Sequence, residues 1–324
     1  MAVLISGGAG YVGSHTCVEL LNAGEDIIVF DNFFNSSSRT IDNIQQITGR
    51  KLKFYEADML EIGSIDRIFD ENEIEQVIHF AGYKSIPESV KHPLKYYSNN
   101  LRGAFNILET MRKYGCTKFI FSSTAVCENS ENSGLLATNP YGSTKLIIEN
   151  LCREMYNANK VWTFVLLRYL NTMGAHKSGL IGEDISGRSD SLMSAISAAA
   201  LGKSAELQIA GNDYPTPDGT CVRDCVHVED LAKGHVAAVR KARETESGCS
   251  AYNLGSGHGH SVKEIIDTFK RVNGVDFNVT FGSRRDGDVA ECLCDPSLAE
   301  KELGWKAEQG LEDMCRDAWN FVKN

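Results

Sequence analysis

Tyr141 and Lys145 stand four residues apart in the run Asn139-Pro-Tyr-Gly-Ser-Thr-Lys145. One helical turn separates them, so a helix would project both side chains from one face. Asn139 is a good helix cap, and Pro140 suits the first helical position, where an N–H has no partner to lose. A free tyrosine titrates near pH ~10, so about one in a thousand is phenolate at neutral pH. An ammonium roughly 4 Å away, at an effective dielectric of ~20, favours the anion by about 4 kcal/mol, or about three pKa units. The spacing therefore predicts a general base near working pH. Upstream, the apolar run Phe119–Phe121 ends at Ser122-Ser123-Thr124, which places a hydroxyl near Tyr141 if the next helix packs alongside.

A second group of residues has the chemistry of a nucleotide site. Gly7-Gly8-Ala9-Gly10-Tyr11-Val12-Gly13 lies between a first apolar run and a helical pattern. Glycines there permit a tight turn and bring backbone N–H groups close to a pyrophosphate at the helix N-terminus. Asp31 ends the second apolar run, 18 residues past Gly13, where a carboxylate would hold ribose hydroxyls and repel a 2′-phosphate. NAD is thus favoured over NADP; the plain alternative is a structural turn with a capping Asp. Asp58-Met59 and Phe80-Ala81-Gly82-Tyr83-Lys84 end further runs and continue the same edge. Arg223 and Arg285 sit in Asp-rich segments and could clamp a diphosphate through paired hydrogen bonds. Cys221, Cys225 and His227 have a spacing reminiscent of a metal site. Their alternation also fits a plain strand and no fourth ligand is near, so no metal is expected.

The elements that must position these groups follow from periodicity. Val3–Ile5, Ile27–Phe30, Leu52–Tyr55, Val77–Phe80, Phe119–Phe121 and Trp162–Leu167 read as strands. Between them lie helices such as 13–23, closed by Gly24, and 101–114, closed by Gly115. This alternation predicts an α/β fold, a doubly wound (Rossmann) parallel sheet covered on both faces. After about residue 171 Gly, Ser and Asp become frequent, which predicts a smaller lobe; the expected division is 1–171 for the nucleotide domain and 172–324 for the second lobe. Some later segments are expected to return to the first domain. The 324 residues with 42% apolar content can build such a core. A net charge of −10 argues against nucleic acid as partner. No run nears the ~20 apolar residues of a membrane span, and the opening apolar run is too short for a signal peptide. The ten cysteines are accordingly read as reduced thiols of a cytoplasmic protein.

Seven ordered stretches, GGAGYVGSHT, HFAGYKSIPESVKHPLKYYSNN, NPYGSTK, GAHKSGLIGED, DGTCVRD, HVEDLAKGH and RRDGDVA, resemble the UDP-glucose 4-epimerase family of extended short-chain dehydrogenases. The resemblance runs nearly end to end. It implies tightly held NAD, a UDP-hexose substrate and a homodimer. Matching motifs would assign Gly7, Gly10, Tyr11, Val12, Gly13, Asp31, Asn32, Asp58, Met59, Phe80, Ala81, Gly82, Lys84, Asn99 and Leu170 to NAD, with Tyr141 and Lys145 shared between cofactor and catalysis. Thr124 would join them in catalysis. Asn171, Ser191, Leu192, Arg223, Arg285 and Asp288, with Thr124, would hold the UDP-sugar. Cys292 falls where side-chain size limits the sugar, so room for UDP-GlcNAc is implied. The implied chemistry is transient oxidation at C4, turning of the 4-keto sugar, and reduction on its other face.

Departures from the family pattern are also visible. The segment between Thr124 and Tyr141 is several residues short, with Cys127-Glu128 where Tyr-Gly is usual. Leu170-Asn171-Thr172 replaces Phe-Asn-Pro, Asp190-Ser191 an Asn pair, Ala210 a Phe and Cys225 a Tyr. A competing reading is therefore an NAD-binding relative with weak or lost catalysis. A nucleotide-sugar 4,6-dehydratase would need an Asp-Glu pair after the catalytic threonine, and Ala125-Val126 stand there instead.

Overall fold

A computed structural model describes residues 1–124, 137–185, 191–285 and 288–324. Six strands come from the first half: β1 (Ala2–Ser6), β2 (Ile27–Asp31), β3 (Lys53–Glu56), β4 (Ile74–His79), β5 (Lys118–Thr124) and β6 (Thr163–Tyr169). Helices α1 (Tyr11–Asn22), α2 (Ser38–Thr48), α3 (Ile62–Asp70), α4 (Ile86–Lys91), α5 (Pro93–Tyr114) and α6 (Pro140–Ala158) connect them. The second half contributes β7 (Asn171–Met173), α7 (Leu192–Ala200), β8 (Leu207–Ala210), β9 (Val222–His227), α8 (Val228–Glu244) and β10 (Gly248–Asn253). It ends with β11 (Gly259–Ser261), α9 (Val262–Asn273), β12 (Val279–Gly282), β13 (Glu291–Cys292), α10 (Ser297–Leu303) and α11 (Leu311–Val322).

The main sheet is parallel, with seven strands in the order β10-β6-β5-β4-β1-β2-β3. Its strands are apolar because both faces are covered. Val3, Ile5, Val29 and Leu167 pack with α1, α2 and α8 on one side. Leu4, Phe30, Phe119 and Leu166 pack with α3, α5 and α6 on the other. Strand β10 and helix α8, although late in the chain, belong to this layer: β10 pairs with β6 and α8 packs on α1. The remaining elements form smaller sheets. In one, β9 pairs with β7, β11 and β13; in the other, β8 pairs with β12. A third core cluster, including Met173, Ile196, Phe269 and Met314, lies beneath them.

Helix α5 starts eight residues before the expected 101, at Pro93 in the first turn. Its first two turns carry few apolar residues, yet Tyr96 and Asn100 face inward and are buried. That polar-looking start hides the helical period. The α6 start is as the spacing predicts: Asn139 Oδ1 accepts from the Gly142 N–H at 2.8 Å, ahead of Pro140.

Five histidines are buried, and three of them, on α1, β4 and α8, are strongly perturbed by it. Burial pushes His15 and His79 down to about 3 and His235 to about 4. Unfolding lets each bind a proton at its ordinary value near 6.5, so the unfolded chain holds more protons below that pH. Their stabilising contribution is complete above 6.5 and is lost as pH falls toward 4. Each adds a slope of about 1.4 kcal/mol per pH unit, and three add about 4. The urea midpoint is expected to drop steeply below pH ~6, and His235→Asn should remove about a third of the histidine slope. A midpoint flat from pH 7 to 5 would refute this.

Candidate active site

The carboxyl ends of the parallel strands open into one cavity of about 540 Å³, walled on the other side by the second lobe. Such an edge is where a doubly wound sheet presents its ligand. All the residues assigned above to cofactor, catalysis or substrate line it, except Asp58 and Cys292. Asp58 instead holds a turn: its carboxylate accepts from Asn32 Nδ2 at 2.9 Å and from the Leu60 N–H at 2.8 Å. Cys292 is buried in β13 and is disulfide-bonded. The reduced-thiol expectation holds for the eight cysteines that are free among the described residues, and not for Cys292. Cys221, Cys225 and His227 lie in or beside β9, and no described group of three such side chains is arranged to hold a metal.

At the β1–α1 turn, Gly7 has φ +75° and lies against the chain after β4. A Cβ there would sit 2.7 Å from the Ala81 nitrogen. Gly10 caps α1 without a side-chain hydrogen bond, leaving the first N–H groups without a side-chain cap beside the cavity. Asp31 accepts from the Ala9 N–H (3.1 Å), the Phe33 N–H (2.9 Å) and Ser36 Oγ (2.9 Å), and still reaches the cavity. Burial raises its carboxyl above the ordinary value, against the pull of those donors. The capping role and the cavity role coincide in one side chain. Tyr11 Oη donates to the Gly174 carbonyl at 2.6 Å, and Lys84 pairs with Glu183 at 2.8 Å. Both contacts cross between the two walls. On the far wall, Arg223 faces Asp288 at 3.5 Å, with Arg285 beside them.

Tyr141 and Lys145 share the face of α6 that looks into this cavity. The electrostatics differ from the expectation. Lys145 Nζ donates to the Ser122 carbonyl at 2.7 Å and lies 4.8 Å from the Phe121 ring centre and 5.9 Å from that of Tyr141. The Lys145 ammonium is hydrogen-bonded to a backbone carbonyl and favours the phenolate only through space. Burial outweighs that influence, pushing the Tyr141 phenol up to about 12 and the Lys145 ammonium down to about 8. Lys145 thus stays mostly charged at neutral pH, and Tyr141 holds its proton until more positive charge enters the cleft.

Several lining residues escape the sequence. Tyr169 ends β6, and its hydroxyl bonds Ser122 Oγ. Its place at a strand's carboxyl end was the available signal. Glu183, within the GAHKSGLIGED stretch but given no role there, and Gln208, which nothing local in the sequence marks, also line the cavity. The short segment after Thr124, with Ala125, Val126 and Cys127-Glu128, lies outside the described residues, as does Asp190.

Comparison with known proteins identifies the family. A family model described as GDP-mannose 4,6 dehydratase matches residues 4–318. UDP-glucose 4-epimerase of Bacillus subtilis is 52% identical over 99% of this chain and 96% of its own length. The chain belongs to the UDP-glucose 4-epimerase family. The Haemophilus influenzae UDP-glucose 4-epimerase is 47% identical over 100% of this chain and 98% of its own. Among solved structures, a Bifidobacterium longum UDP-glucose 4-epimerase in complex with NAD+ and UDP is 44% identical, covers 100% of this chain and 99% of its own, and superimposes with a TM-score of 0.94. Within this epimerase fold the dehydratase description marks shared architecture, since the acidic pair that such chemistry needs after Thr124 is missing.

One close approach shapes the cavity floor. A Cβ on Gly103 of α5 would fall 2.3 Å from Met59 Sδ, and Met59 lines the cavity. Gly103→Ala should push the thioether into the space beside it and weaken dinucleotide retention roughly tenfold. The NAD content of the purified variant measures this; retention equal to the unaltered chain would refute it.

Proposed function

We propose that this chain interconverts UDP-glucose and UDP-galactose, with Tyr141 as its proton carrier and NAD as its resident cofactor. One observation carries the assignment of roles. Tyr141, Lys145 and Thr124 face the same cavity as the glycine turn with Asp31 and as Arg223 with Arg285. A base, a dinucleotide cradle and a cationic clamp therefore share one enclosure.

The residues fit the cofactor: the bare Gly7 surface and the open α1 terminus suit a diphosphate, and Asp31 suits ribose hydroxyls. When bound, NAD supplies a hydride acceptor for C4 and, in its oxidised form, an added positive charge. Tyr141 takes the proton of the sugar 4-hydroxyl and later returns one to the same oxygen, assisted by Thr124. Lys145 favours the phenolate through its charge. Arg223 and Arg285 hold the diphosphate, Asp288 orients Arg223, and Asn171, Ser191 and Leu192 close the substrate side. Residues 1–171 carry the cofactor in this reading and 172–324 the UDP-sugar, with α8 and β10 serving the first layer. The reaction is an isomerisation with no net redox change.

Purified protein incubated with UDP-galactose, without added cofactor, should form UDP-glucose. Tyr141→Phe should lower turnover ~10²–10⁴-fold while leaving NAD bound. Absence of conversion by the unaltered chain would refute the activity; full activity of the variant would refute the role of Tyr141.

The reading extends to a homodimer in the cytoplasm; the eight free thiols, though not the bonded Cys292, are in keeping with that compartment. No described helix is long and apolar enough to cross a membrane. Helices α4, α5 and α6 pack together and leave Val90 (60% exposed), Leu94 (77%), Phe105 (39%) and Ile147 (37%) facing solvent. A second copy of the chain would cover them. Sedimentation equilibrium should give a dimer, and Phe105→Asp a monomer; a monomeric unaltered chain would count against the pairing.

A further inference from the structure

Beyond the cavity lining, one buried charge stands behind the proposed catalytic residues. Glu149 lies one helical turn after Lys145 on α6 and is wholly buried. Its carboxylate accepts from Ser123 Oγ at 2.6 Å, from Arg168 Nε and Nη2 at 2.8 and 2.5 Å, and from Arg153 Nη2 at 2.7 Å. Arg168 is the β6 partner of Ser123 in the register, so strand alternation turns both toward α6. Ser122 and Thr124 alternate to the other side. On that side Ser122 Oγ bonds the Tyr169 hydroxyl, while the Ser122 carbonyl, in the plane of the sheet, accepts from Lys145 of α6. Successive residues of the β5 end are thus fastened on opposite sides, and Thr124 is the next one along.

We propose that Glu149, acting through Ser123, is a positioning residue: it sets where the end of β5 presents Thr124 and the Ser122 carbonyl to Tyr141 and Lys145. Buried ion pairs add little net stability over apolar packing of the same volume. A carboxylate can do what an apolar side chain cannot, which is to fix a serine hydroxyl and a guanidinium in defined directions. The same helix therefore carries the base at Tyr141, its charge partner at Lys145 and the strut at Glu149, each four residues from the last. This inference rests on the reading of the site given above.

The test uses the full chain with its bound cofactor and UDP-galactose as substrate. Ser123→Ala should lower kcat roughly 10–100-fold, the scale of a small misplacement of reacting groups. KM should stay within about twofold, because ground-state binding is untouched. Bound NAD and the thermal midpoint should be unchanged. Ser123→Thr, which keeps the hydroxyl, should restore most of kcat, and Arg153→Ala, on the exposed arm of the cluster, should leave it within about twofold. An unchanged kcat for Ser123→Ala would overturn the proposal. So would a loss of kcat that tracks loss of NAD or a falling thermal midpoint, which would mark a merely structural contact. Failure of the unaltered chain to convert UDP-galactose would refute the activity itself, a separate result.

Discussion

The docking of α6 on the end of β5 depends on an ammonium buried among aromatic rings. Lys145 is 6% exposed, and its charge is met by one carbonyl, that of Ser122, and by the Phe121 ring. Holding a cation there is unfavourable on its own, which is why its proton is loosened. The bond to Ser122 fixes the distance between helix and strand end, and the rest of the cleft is arranged around that distance. Tyr141 is carried one turn up the same helix, and Tyr169 is carried by the neighbouring strand.

The second wall is tied to the first by a few directed contacts. Strand β7 follows β6 after one residue, so the substrate side begins where the sheet ends. Tyr11 reaches the Gly174 carbonyl, Asn43 Nδ2 donates to the Leu180 carbonyl at 2.7 Å, and Lys84 pairs with Glu183. Trp305 Nε1 donates to the Asp230 carbonyl at 2.8 Å, and the Asp230 carboxylate accepts from the Glu308 and Gln309 N–H groups, which fastens the late chain to α8. These bonds leave the cavity open while keeping its walls in register.

Six of the seven strands of the main sheet were legible as short apolar runs, whereas β10, with the sequence Gly-Cys-Ser-Ala-Tyr-Asn, has no such pattern and was missed. The α6 start was legible because Asn139 and Pro140 do local chemistry. Other features had no local sign. The first turns of α5 look polar, since Tyr96 and Asn100 are buried against partners remote in sequence. The phenol's acidity was misjudged because spacing gives proximity but not burial, and burial decides here. Asp58 shows the same limit: a carboxylate at a strand end can serve a turn or a ligand, and its neighbours Asn32 and Leu60 claim it. Glu149 and Glu183 act across 26 and 99 residues of chain, beyond any periodic signal.

The late return of β10 to the main sheet has a consequence for how the chain is made. Until Gly248–Asn253 arrives, β6 is an open sheet edge with a row of unpaired backbone groups. At about 5–20 residues per second of synthesis, the roughly 80 residues between them leave that edge uncovered for about 4–16 s. Helix α8, which covers α1, is delayed nearly as long. The nucleotide-binding layer therefore emerges early but closes late, and the nascent chain spends those seconds with an edge able to pair with its neighbours on the same message.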